Sequence, residues 1–289
     1  MRPGKGEYMD TITMKKYHGL GNDYLVLDPN KNEIKLQKRN VEMLCRRNFG
    51  VGADGILYGP FQEDGKLRVQ IFNPDGSEAE RSGNGVRIFA KYLLDEGYVK
   101  EKKFTLNTLA GDVEIEFLDE DGSTMRVNMG KPVYAGAELP LVGLEGEIVN
   151  AHLRFHDNDY NTTCLSVGNP NCVIMMEEIT PQKAKDLGPY VEGASYFPNR
   201  TNMQICKVMD RENIAIEIYE RGAGYTLASG TGACAAAAAA KRMGLVDDKV
   251  TVHMQGGNLI VEFNKEGNIF MTGTVGTVGT FTLAENFFA

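Results

Sequence analysis

The residues best suited to chemistry in this chain are polar side chains set in glycine-rich turns: Asn22, Asn73, Ser82, Asn84, Asn169, Asn171, Asn202, Glu220, Arg221, Ser229 and Thr231. An arginine beside several amides suits a zwitterionic ligand with more than one carboxylate. A guanidinium takes a carboxylate through two parallel hydrogen bonds, and amides supply both donors and acceptors. Two of the turns go further. Ser82-Gly83-Asn84-Gly85 and Ser229-Gly230-Thr231-Gly232 each lead straight into a stretch that reads as a helix. A helix start offers unpaired N–H groups at the positive end of the dipole, a ready seat for a carboxylate or phosphate. Turn geometry alone would account for any single asparagine here. Repetition is what sets the group apart.

The repetition has a register. Asn22, Asn73 and Ser82 correspond to Asn169, Glu220 and Ser229, each pair 147 residues apart (22 to 169, 73 to 220, 82 to 229). Further on, Gly111 and Phe117 correspond to Gly257 and Phe263 at a spacing of 146. One register held over about a hundred residues points to two equivalent structural units that share one site.

The elements that must position these turns follow from hydrophobic period. Residues 12–28 read as a strand broken by a Gly-Asn turn, 41–47 as a short helix, and 67–72 as a strand feeding the first serine turn. Val86, Phe89, Ala90 and Leu93 share one helical face over 86–94, with Gly97 as the stop. The partner stretch, 233–243, is nearly all alanine and stops at Gly244, which suits a helix buried on every side. Val113, Ile115 and Phe117 alternate with acidic residues as a half-buried strand does, and Leu259, Val261 and Phe263 repeat the pattern. The crossover between the halves falls in the Gly- and Pro-bearing stretch 130–146. The expected fold class is α/β with α+β character: two pseudosymmetric domains, each a mixed, barrel-like sheet curled around a central helix. The expected domains are 1–130, with a C-terminal strand at about 275–289 returning to it, and 131–274.

Composition excludes several classes. A chain of 289 residues has room for two cores. Its net charge of −8 and lack of any Lys/Arg-rich run argue against a nucleic-acid or anionic-membrane surface. No long apolar segment is present, and the first residues carry no apolar leader core, so a soluble, cytoplasmic protein is expected. Five cysteines, an odd number without framework spacing, fit a reducing compartment. His18, His152, His156 and His253 show no metal-ligand spacing with them, and the i,i+4 pair His152/His156 lies in a strand-and-turn stretch. Gly-Val-Gly-Ala-Asp-Gly at 50–55 matches a dinucleotide fingerprint in letters only, because a strand rather than a helix follows it.

Over nearly its whole length the chain resembles the diaminopimelate epimerase family. The motifs occur in order: HGLGNDYLVLD (18–28), NFGVGADGIL (48–57), FNPDGSEAERSGNGVR (72–87), GNPNCV (168–173), FPNRTN (197–202), YERGAGYTLASGTGACA (219–235) and MQGGNLIVEF (254–263). The resemblance implies cofactor-independent epimerisation of LL- to meso-diaminopimelate, in the pathway to lysine and a cell-wall precursor, by two cysteines facing across a cleft. It also implies a homodimer. It places Asn22, Asn73, Asn169, Asn202 and Arg221 on the ligand, the last four mainly at its non-reacting end. Backbone amides at Gly83, Asn84, Gly230 and Thr231 would hold the reacting α-carboxylate, and Glu220 would assist one thiol.

The departures bear on mechanism. Ser82 and Ser229 stand where the family carries its two catalytic cysteines. Asn171 takes the place of the active-site histidine, and Tyr225 that of a glutamate. A thiol of pKa about 8.5 is brought into the physiological range by a helix N-terminus. A serine hydroxyl needs an adjacent general base. Glu220 is the evident one, and a carboxyl of pKa about 4.3 in water must be buried to approach neutrality. Three readings follow. One is an amino-acid epimerase or racemase whose acid/base apparatus has changed, with serine, Glu220 or Tyr225 in new roles. Another is an inactive amino-acid-binding homologue. The third is an epimerase disabled by Cys-to-Ser exchange. A fourth takes 230–235 as a nucleotide-binding turn, although no strand runs directly into it and the matching half has no such turn. The expected partner is a small amino acid bearing carboxylates, with no cofactor, metal, nucleic acid or membrane.

Overall fold

The computed structural model describes residues 11–63, 65–137 and 139–288. The ten N-terminal residues lie outside them.

The first half opens with β1 (Thr13–Gly19), β2 (Asn22–Leu27) and α1 (Lys38–Cys45). There follow β3 (Ile56–Glu63), β4 (Lys66–Phe72) and the two-residue β5 (Glu78–Ala79). The central helix α2 (Gly83–Asp95) leads to β6 (Lys103–Thr108), β7 (Gly111–Phe117) and β8 (Thr124–Gly130). After the irregular crossover, β9 (Ala151–Phe155) precedes a repeat of the same order. The repeat is β10 (Asn158–Ser166), β11 (Pro170–Met175), α3 (Pro181–Glu192), β12 (Asn202–Val208), β13 (Asn213–Glu220) and β14 (Gly224–Thr226). Then come α4 (Gly230–Arg242), β15 (Lys249–Met254), β16 (Gly257–Phe263) and β17 (Ile269–Thr274), with β18 (Gly276–Thr282) last.

The fold is mixed α/β, mostly sheet, curled without closing. Parallel pairs such as β2–β3 and β4–β6 in the first half recur as β11–β12 and β13–β15 in the second. The halves join where β8 and β17 pair antiparallel, so one sheet runs through both. β18 pairs with β1, Thr282 facing Thr13, as β9 pairs with β10.

Each central helix is enclosed by its own strands, α2 by β1, β2, β3 and β8, and α4 by β10 through β13 and β15 through β17. Alanine 235 to 240 are all at most 1% exposed, which explains their type: a methyl lets the strands approach while keeping the best helix propensity. The helices also begin earlier than their apolar pattern suggests, because Gly83 to Gly85 and Gly230 to Gly232 already form the first turn.

Strand β2 is buried on both faces. Tyr24 and Val26 pack into the large central core with α2, whereas Leu25 and Leu27 pack with α1 in a smaller one. Strand β12 does the same between α4 and α3. The alternation along β2 therefore aims Tyr24 toward α2, a direction that matters for the site.

Candidate active site

Ser82 and Ser229 are the N-caps of the two central helices. Ser82 Oγ accepts from the Gly85 N–H at 3.0 Å, and Ser229 Oγ from the Gly232 N–H at 3.1 Å. The caps satisfy the third amide of each helix. Helical geometry leaves the first two, Gly83 and Asn84 in α2 and Gly230 and Thr231 in α4, without an intrahelical acceptor.

These two helix starts touch. A Cβ added at Gly83 would lie 2.8 Å from Gly230 Cα and 3.1 Å from Thr231 N, and one at Gly230 would lie 2.8 Å from Gly83 Cα. Any larger residue would force the helices apart. Each dipole contributes about half a positive charge at its N-terminus, so two together approach the charge needed to balance one carboxylate. Beneath them Arg87, wholly buried, bonds to Asn84 Oδ1 at 2.7 Å and the Gly83 carbonyl at 3.3 Å and adds a further cation.

The two serines have unlike partners. Ser229 Oγ donates to Glu220 Oε1 at 2.6 Å. Burial pushes the Glu220 carboxyl up to about 7; the Ser229 hydrogen bond pulls it back and the Asp54 charge raises it further. Glu220 and Thr231 border the cleft, whereas Ser229 does not. Ser82 borders the cleft itself and shares a hydrogen bond of 3.1 Å with the Tyr24 hydroxyl. Burial, then the charge of Glu220, holds the Tyr24 phenol well above its ordinary value.

The cleft lies between the halves. Asn73, Ser82, Asn169, Asn202, Glu220, Arg221 and Thr231 all line it. Asn22 and Asn84 stand behind as a buried pair. Asn84 Nδ2 donates to Asn22 Oδ1 at 3.0 Å and to the Ala228 carbonyl at 3.1 Å, while Asn22 Nδ2 donates to Asp54 Oδ2 at 2.9 Å. Asn169 Nδ2 reaches Thr231 Oγ1 at 3.3 Å. Asn202 Oδ1 accepts from the Arg221 N–H at 3.0 Å. The Arg221 guanidinium crosses between halves to Glu80 and also reaches the Asn199 carbonyl at 3.3 Å. Asn73 bonds within its own turn, to Ser77 Oγ at 3.0 Å. Outward, Glu80, Asn169 and Arg221 also border a wider depression.

Asn171 is wholly buried, donating to Asn169 Oδ1 at 2.9 Å and accepting from Gln204 Nε2 at 3.1 Å. It braces a lining residue and is not itself part of the lining. Tyr225 points elsewhere: its hydroxyl donates to Glu217 Oε2 at 2.7 Å and its ring lies against Lys185. Tyr24, Asp54, Glu80 and Arg81 line the cleft without having been singled out in the sequence. The motifs offered one clue, since Tyr24 lies two residues from Asn22 and Asp54 lies within the 48–57 stretch.

The five cysteines are free and buried. Burial pushes Cys45, Cys206 and Cys234 up to about 12, so they stay protonated thiols. No helix among the described residues is long and apolar enough to cross a membrane. Among the same residues, no group of three or more His, Cys, Asp or Glu is placed to hold a metal ion.

Comparison with known proteins bears on the family and the fold. The chain is 44% identical over 275 residues to "Diaminopimelate epimerase 2" of Nostoc sp., covering 95% of this chain and 96% of that one. It is 38% identical over 262 residues to the diaminopimelate epimerase of Moorella thermoacetica, covering 89% and 94%. Among solved structures, a hydroxyproline epimerase from Agrobacterium vitis superposes with a TM-score of 0.72 at 14% identity, covering 96% of this chain and 92% of that one. A probable proline racemase from Agrobacterium radiobacter gives 0.68 at 16% identity, covering 95% and 93%. The sequence profile described as "Diaminopimelate epimerase" matches residues 14–135 and 163–278. The chain belongs to the diaminopimelate epimerase family.

Proposed function

We propose that this protein is an amino-acid epimerase that inverts the α-carbon of diaminopimelate or a similar dicarboxylic amino acid, LL to meso, with Glu220 as the base on one face. One observation carries the reading: a carboxyl poised at about 7 borders the cleft, fixed by Ser229 beside two abutting helix starts. A base of that pKa is half ionised at neutral pH and still returns its proton readily. The α-carboxylate sits on the amides of Gly83, Asn84, Gly230 and Thr231, where positive potential stabilises the charge that develops as the proton leaves. Asn73, Asn169, Asn202 and Arg221 take the distal end, toward the wider depression. The same reading takes 1–130 with 275–289 as one domain and 131–274 as the other.

A second reading, an amino-acid-binding homologue, is favoured by Asn171, which offers no titratable group and is locked by Asn169 and Gln204. Solvent-deuterium incorporation at Cα separates the two. With LL- or meso-diaminopimelate in D2O, exchange with inversion is the expected result. A thermal shift with the same ligand but no exchange refutes the epimerase reading.

A further inference from the structure

The Glu220–Ser229 pair serves one face of the site, but inversion needs a proton delivered from the other. Ser82 lines the same cleft, and a lone serine hydroxyl is a poor proton source that must be recharged at once. Tyr24 borders the same cleft, is 6% exposed, and places its hydroxyl 3.1 Å from Ser82 Oγ. The alternation of β2 fixes its aim, because a residue at that position must point toward α2 and its cap. We propose that Tyr24 is a positioning and proton-relay residue acting through Ser82, so that two unlike pairs, Glu220–Ser229 and Tyr24–Ser82, serve the two faces. This inference rests on the epimerase reading above.

The step balances as follows. The Cα–H bond facing Glu220 breaks; its proton goes to the carboxylate and its electron pair stays on carbon, delocalised into the α-carboxylate. On the opposite face a new Cα–H bond forms with the Ser82 proton, while the Tyr24 O–H proton passes to Ser82 Oγ. Tyrosinate and neutral Glu220 remain, and both return to their starting forms by exchange with water. The pairs are electrically coupled across the cleft. Ionised Glu220 opposes ionisation of Tyr24; when Glu220 takes the substrate proton, that negative charge passes to the substrate carbon, the atom the relayed proton must reach.

Tyr24→Phe removes the hydroxyl and keeps the ring. Incubated with LL- and meso-diaminopimelate in D2O, it is expected to lose inversion by about 100-fold or more with little change in KM, the usual range for a missing general acid. The same sample should still exchange the Cα proton of the isomer that faces Glu220. Adding Ser82→Cys to Tyr24→Phe should restore inversion by at least about tenfold, because a thiol at a helix N-terminus is acidic enough alone. A simple structural role for the tyrosine would lower exchange and inversion together and would not be rescued. Inversion within about threefold of the parent, parallel loss of both activities, or failure of the cysteine rescue each overturns the proposal. A parent protein that neither exchanges nor inverts diaminopimelate overturns the epimerase reading and this inference with it. An active parent with an unaffected Tyr24→Phe variant overturns this inference alone.

Discussion

Replacing Glu220 by glutamine should make the protein both inactive and more stable, with the two effects showing the same pH dependence. The carboxyl is raised from 4.5 to about 7, chiefly by burial. Ionising it in the folded chain therefore costs about 3 kcal/mol more than in water, at 1.36 kcal/mol for each tenfold change in acidity. The sign follows from proton binding. Between about pH 4.5 and 7 the folded chain holds a proton the unfolded chain has released, so the stability present at low pH is lost as pH rises through about 7. Glutamine keeps an oxygen to accept from Ser229 and carries no charge. The variant should gain up to about 3 kcal/mol over the parent at pH 8, and the gain should vanish below pH 4.5. Such an increment is a large share of the roughly 5–15 kcal/mol of a typical domain. Urea unfolding from pH 4 to 9 measures it. Activity runs the other way. Cα deuterium exchange by the parent should rise tenfold per pH unit up to about 7 and then level off, and the variant should fall by ~10²–10⁴-fold. Superimposable stability curves would show that Glu220 is not the strained group, and exchange by Glu220→Gln within about threefold of the parent would show that it is not the base.

Three further outcomes are expected. Arg221→Ala should weaken binding of meso-diaminopimelate by about 10–100-fold in calorimetry while sparing an amino acid with one carboxylate; equal affinities would remove Arg221 from the distal subsite. Gly83→Ala puts a methyl 2.8 Å from Gly230 Cα, so urea unfolding should show a loss of about 1–3 kcal/mol, and no loss would mean that the helix starts do not abut. Ellman's reagent should find no reactive thiol in the native protein and all five in urea, since every cysteine is buried; rapid native labelling would contradict that burial.

The doubled register was legible because anion-binding helix starts demand glycine and a short cap, and both halves spell that demand in the same order. The curled sheets followed from strand alternation such as Val113, Ile115 and Phe117, with the all-alanine helix marking what they enclose. Helix α3 was not read, although Thr180 caps it and Pro181 opens it, because its exposed face is too polar to yield a strong apolar period. At the site, the sequence marked amides and serines but missed Tyr24. A tyrosine in an unbroken apolar strand looks like core, and it is core apart from one oxygen at its far end. Asp54 was hidden inside a glycine-rich false fingerprint. Asn171 was expected at the reacting centre in the histidine's place, but hydrogen bonds with Asn169 and Gln204 hold its amide in the interior. Tyr225, weighed for a new catalytic role, found a better partner in Glu217.

The pairing of β18 with β1 has a consequence for how the chain can be wired. The Leu283 N–H donates to the Ile12 carbonyl at 2.9 Å, so the two ends of the described fold are neighbours. In the second half the equivalent strand, β9, comes directly before its partner β10; in the first half it is supplied from the far end of the chain. Topologically the protein is a ring opened at one of two equivalent points. The other point lies in the exposed stretch around Gly143 to Gly146, where an added Cβ would meet nothing. A circular permutant with its old ends linked and new ends placed there would read β9 to β17, then β18, then β1 to β8. Every strand would keep its neighbours, and both helix starts would still meet at Gly83 and Gly230. The order in which the halves are encoded is thus a property of the gene and not of the fold.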